Sequence, residues 1–147
     1  MPSKQSSTLV LWLLAGVIAL IGYGSLYPFN FSFGGLHPTV TAAFSQLGWA
    51  RAGRADRVRN ILLYLPLGFC LILFLRAKLG TLWATVLATC IGSLLSLIIE
   101  VLQVYLSIRV PSLMDVVLNA VGTCVGAMGG VIWRGPVSYT HLRAHET

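Results

Sequence analysis

Four long apolar runs, each parted from the next by a cluster of charge, glycine or proline, set the pattern of this chain. A helix needs about 20 mostly apolar residues to cross the hydrocarbon core of a bilayer. The runs over residues 8–29, 60–75, 79–106 and 112–133 approach or exceed that length. The pattern therefore predicts an all-α, polytopic membrane helical bundle with about four transmembrane helices in one domain. The first run outlasts the h-region of a secretory signal and has no small-x-small cleavage pattern after it, so it reads as a retained helix. The second is short and contains Pro66, which removes one backbone hydrogen bond and kinks the helix. The third is longer than the hydrocarbon is thick, which puts its last turns in the interface. The fourth begins after Pro111, with Ser112 as N-cap and Asp115 as its capping-box partner. Between the first two runs, residues 30–59 turn polar, Gly-rich and Arg-rich and predict a loop carrying a short surface helix.

Composition strengthens this picture. Hydrophobic residues make up 56% of the chain and charged residues 10%, against about 25% charged in a soluble domain. Soluble enzyme and nucleic-acid-binding classes are thereby excluded, since the arginines have no soluble module around them. The net charge of +6 suits anionic lipid headgroups, an anionic ligand, or loops that merely set orientation. Cys70, Cys90 and Cys124 all lie in apolar runs without metal-ligand spacing and read as small buried hydrophobes. No cofactor and no metal site are expected. Trp12, Trp49, Trp83 and Trp133 read as interface anchors. The final stretch, Val137 to Thr147, matches a library-adapter sequence translated in one frame and is set apart from the 1–136 transmembrane domain as a read-through tail. Its His141 and His145, four apart, therefore carry no metal-site reading.

Candidate chemistry enters through the few polar residues inside the apolar runs. In an up-and-down bundle, the start of the second helix, the end of the third and the start of the fourth share one side of the membrane. Asp56 and Asn60, Glu100 and Gln103, and Asp115 and Asn119 form three pairs spaced three or four apart, so each pair shares a helical face. Arg109, in the connection between the third and fourth helices, is within reach of these acids. Ala84, Ala88, Gly92 and Ser96 form a small-residue stripe whose next step of four is Glu100, while Gly122, Gly126 and Gly130 form a double GxxxG. These stripes predict that the third and fourth helices pack against each other along them. Intramembrane ionisable groups are costly and mark a functional site by default. The competing reading is an ion network that only caps and registers the helices.

Asn60 followed by "LPLGF", then Glu100-x-x-Gln103, Arg109, Asp115-x-x-x-Asn119 and Gly122-x-x-x-Gly126, in this order and spacing, resembles the VanZ-like family of bacterial membrane proteins over about residues 56–130. The resemblance implies a cell-envelope role; the name-giving member is associated with resistance to the glycopeptide teicoplanin. It carries over Asn60, Glu100, Gln103, Arg109, Asp115 and Asn119 as family-type polar residues, with Asp56 less securely placed. The expected partners are membrane lipid and an anionic lipid-linked cell-wall intermediate. Arg57 and Arg59, with Arg51 and Arg54 nearby, are the candidate headgroup contacts, because the guanidinium fork matches phosphate. No nucleophile motif or phosphate-binding Gly loop points to catalysis. Two alternatives stay open, a small proton-coupled transporter using a membrane carboxylate and a structural assembly partner, as do oligomeric state and membrane orientation. With the amino terminus inside, basic residues fall on both sides; the envelope role puts the polar cluster outside.

Overall fold

A computed structural model describes residues 4–32, 45, 47–49, 53–106 and 110–133, with the backbone alone for residues 4–7. Four helices account for nearly all of it: α1 (Lys4–Leu26), α2 (Arg54–Leu79), α3 (Thr81–Gln103) and α4 (Leu113–Trp133). All four are long and apolar enough to cross a membrane. At 1.5 Å per residue they span roughly 30–40 Å, enough for a hydrocarbon core of about 30 Å. Among the described residues, then, four helices have the length and composition of membrane spans, as a multi-pass membrane protein requires.

The helix ends differ instructively from the pattern-based expectation. α2 starts at Arg54, six residues before the expected start at Asn60, so Arg54, Asp56, Arg57 and Arg59 are helical. A helix of 26 residues exceeds the hydrocarbon thickness, and its surplus turns carry the charges where water or headgroups solvate them. The helix runs unbroken through Pro66. At its far end Gly80 breaks the chain with φ 74°, and its N–H bonds the Arg76 carbonyl at 3.1 Å. This left-handed position favours glycine, and it separates α2 from α3 at a residue that the apolar run conceals. α3 ends at Gln103 rather than at residue 106, and α1 ends at Leu26 rather than at residue 29.

Packing centres on α2 and α4, which run parallel. Walking along both in the same direction, Gly122 faces the Ile61 carbonyl, Gly126 the Leu65 carbonyl, and Gly130 the Ile72 and Phe69 side chains. Gly68 of α2 answers from the other side, lying against the backbone of Thr123 and Ala127. A Cβ on Gly68, Gly122 or Gly126 would run into the facing main chain, so these glycines set the helix separation. This corrects the expected seam: the Gly122, Gly126 and Gly130 ridge packs on α2, not on α3. The small stripe of α3 is buried, as Ala84, Ala88, Gly92 and Ser96 all are. It meets the other face of α4 in antiparallel register, with Gly92 against Thr123 and Ser96 bonded to Asn119. α4 is thus clasped by α2 and α3, and α2 packs on all three other helices.

α1 lies at the periphery and buries Ile21 alone among its described side chains. Hydroxyls inside the apolar spans bond back to their own helix. Thr85, Thr89 and Ser93 donate to Thr81, Thr85 and Thr89 carbonyls at 2.8–2.9 Å, and Thr123 to the Asn119 carbonyl at 2.8 Å. Such bonds satisfy polar groups that hydrocarbon leaves without partners. At the end of the bundle near Gly80, Arg76 donates to the Val131 carbonyl at 3.2 Å, capping the last turn of α4 with a cation at its negative pole. Cys70 is buried and Cys124 half-buried, but Cys90 lies on the outer surface of α3, contrary to the expectation for all three. The four tryptophans are exposed.

Candidate functional site

The polar residues gather at the opposite end of the bundle from Gly80. Three links tie the helix ends there. Gln103 Nε2 at the end of α3 donates to the Ser25 carbonyl in the last turn of α1 at 3.0 Å. Glu100, 3% exposed, accepts the Ser112 backbone N–H at 2.7 Å. The Leu113 N–H donates to the Gly48 carbonyl at 3.0 Å, joining the inter-helix segment to the start of α4. A further backbone bond, from Ser32 N–H to the Tyr105 carbonyl at 3.0 Å, lies beside the Phe31–Leu106 bridge.

These bonds consume the positive end of α4. Its first N–H groups are orphans of helix geometry and would otherwise form an anion site. Here the Leu113 N–H goes to Gly48, the Met114 N–H to Ser112 Oγ at 3.2 Å, and the Asp115 N–H to the Ser112 carbonyl at 3.1 Å. Ser112 is the N-cap, as its sequence position predicts. The acid that accepts the N-cap's own N–H is Glu100 of α3, the role that a capping box would give to Asp115. Asp115 stands half-buried at the third helical position. A carboxylate placed here also opposes the α4 dipole favourably.

One turn deeper, Asn119 Nδ2 donates to Ser96 Oγ at 2.8 Å, and both residues are buried. Tyr64 of α2, 1% exposed, brings its hydroxyl beside Ser96 and towards Glu100, although the geometry falls short of a hydrogen bond. The cluster is therefore built from α2, α3 and α4 together. Tyr64 is absent from the polar set expected from sequence; its spacing of four from Asn60 was the available signal. Asn60 is half-buried at the head of the same seam, next to Ile61.

Not every expected residue joins. Asp56 is exposed, and its carboxylate lies against Gly53 at the N-terminus of its own helix, where it meets the α2 dipole rather than the buried acids. Arg109, Arg51 and the stretch over residues 137–147 lie outside the described residues. Arg54, Arg57 and Arg59 are exposed on the first turns of α2. Arg54 and Arg59 rim a groove of about 740 Å³ whose other lining residues are Ala55, Val58, Leu62 and Leu63. Arg57 stands about 60° round the helix from Arg54, on the side away from this groove.

The comparisons with known proteins agree with the motif reading: the VanZ/LLP1 family model matches residues 2–134. No curated protein and no solved structure matches the chain.

Proposed function

Because the chain belongs to the VanZ/LLP1 family, we propose that it acts in the cell envelope of a bacterium by holding the anionic headgroup of a lipid-linked cell-wall intermediate at the polar end of its bundle. The observation that carries this reading is the gathering of the ends of α1, α3 and α4, tied by the Gln103–Ser25, Glu100–Ser112 and Leu113–Gly48 bonds, at the same end of the bundle as the exposed arginines of α2. Labour divides between the two sets. Glu100, Gln103 and Asn119 spend polar atoms on the protein itself and form the frame. Arg54 and Arg59 point outward from it and supply forked donors for phosphate.

In a host whose teicoplanin-type resistance depends on this protein, Arg54→Ala combined with Arg59→Ala is expected to drop resistance to the level of a strain lacking it. Membrane insertion of the variant, followed by fractionation, stays at the wild-type level. Undiminished resistance with the double variant inserted would count against the headgroup reading. The proton-coupled transporter reading is less favoured by the position of Glu100, which lies near a helix end and is held by a backbone N–H instead of standing at mid-span.

The reading also places the polar end on the outer face of the cell membrane, with the amino terminus inside. Ser32 and Trp49 are exposed at that end, so cysteines there are expected to react with a membrane-impermeant maleimide on whole cells, once Cys70, Cys90 and Cys124 are replaced. Labelling only after the cells are broken would reverse the orientation.

A further inference from the structure

The groove on α2 has two chemistries in one surface. Helical geometry places Arg54, Val58 and Leu62 on one row and Ala55, Arg59 and Leu63 on the next, so the groove runs along the helix with guanidinium groups at its head and hydrocarbon along its length. Val58 and Leu62 are 55% and 59% exposed, on a helix that crosses from the interface into the apolar span. The first turns carry Arg54, Arg57 and Arg59 against Asp56 alone, and Asp56 is folded onto Gly53. The first turns therefore carry a net positive charge, while the Asp56 carboxylate offsets the dipole of the α2 N-terminus.

We propose that this groove is a binding site for a phospholipid with an anionic headgroup. Its phosphate sits between Arg54 and Arg59, one of its hydrocarbon chains lies along Val58, Leu62 and Leu63, and it enters sideways from the bilayer. Soluble anions lack the chain and zwitterionic lipids lack the net charge, so neither fulfils both halves. The proposal rests on the headgroup reading for the use of Arg54 and Arg59, and adds the hydrocarbon chain that a membrane phospholipid brings to the same two arginines. It is scored by lipid retention rather than resistance, so either can fail alone.

The test is native mass spectrometry of the full chain released from nanodiscs containing phosphatidylglycerol and phosphatidylcholine in equal amounts. Wild type is expected to retain phosphatidylglycerol in preference to phosphatidylcholine. Arg54→Gln with Arg59→Gln lowers that retention roughly tenfold or more, as loss of two basic contacts near an anionic headgroup implies. Leu62→Trp, which crowds the hydrocarbon half of the groove and leaves every charge in place, lowers it too. Arg57→Gln, outside the groove, retains the lipid, and added inorganic phosphate does not displace it. Equal retention of the two lipids by wild type would overturn the proposal. So would retention by the double variant or by Leu62→Trp, a loss on Arg57→Gln as large as that of the double variant, or displacement by phosphate.

Discussion

Gly126→Ala is expected to destabilise the bundle by about 2–3 kcal/mol, whereas Gly129→Ala, three residues on, is expected to be neutral or to stabilise it. The sign change follows from what each new methyl group meets. At Gly126 it meets the Leu65 carbonyl, part of a helix backbone that must move as a unit; overpacking of this kind costs about 1–3 kcal/mol, more where the obstacle is rigid. At Gly129 nothing lies within 4 Å, and alanine is the better helix former by up to about 1 kcal/mol. Gly122→Ala and Gly68→Ala should behave like Gly126→Ala, since each faces main chain. Unfolding in mixed micelles, followed by the loss of helical circular dichroism, reads the difference. Equal effects at Gly126 and Gly129 would mean that α2 and α4 do not approach as described.

Glu100→Ala is the second large effect, expected to cost about 2–3 kcal/mol. It removes a buried acceptor and leaves the Ser112 N–H without that partner; leaving a buried donor unsatisfied costs about 1–3 kcal/mol. Glu100→Gln keeps an acceptor at the same reach and is expected to recover a large part of that loss. If alanine and glutamine prove equally mild in the same unfolding measurement, the link from α3 to the N-cap of α4 does not hold the bundle.

These two cases also show what was legible in the sequence. The number and rough position of the spans follow from apolar run length, because a bilayer demands that length whatever the packing. Gly122, Gly126 and Gly130 announced a close approach but not its partner. A glycine ridge says only that some backbone comes near, and α2 wins because Gly68 offers a matching gap while the α3 stripe occupies a different face of α4. The start of α2 was hidden for a related reason. Arg54, Asp56, Arg57 and Arg59 look like loop charge until the helix is allowed to extend beyond the hydrocarbon.

In the site, the convergence of Glu100, Gln103 and Asn119 was readable from helical spacing, since an up-and-down bundle leaves those ends together. Their partners were not. Glu100 bonds a backbone N–H and Gln103 a backbone carbonyl, and main-chain groups leave no residue-specific mark in a sequence. Bundle topology and its spacing from Asn60 point Asp56 towards the cluster, but its place in the first turn of α2 lets it answer the helix dipole locally, at no cost of burial.

The division between frame and contact is the claim on which the account rests, and one comparison tests it. Bound phosphatidylglycerol per folded molecule and the unfolding midpoint are measured together for Glu100→Gln and for Arg54→Gln with Arg59→Gln. The account predicts a crossed result: the glutamate variant melts earlier and binds as wild type does, while the arginine variant melts as wild type does and binds poorly. A folded Glu100→Gln protein that has lost its lipid, beside an arginine variant that keeps it, would contradict the account and make the buried cluster itself the contact surface.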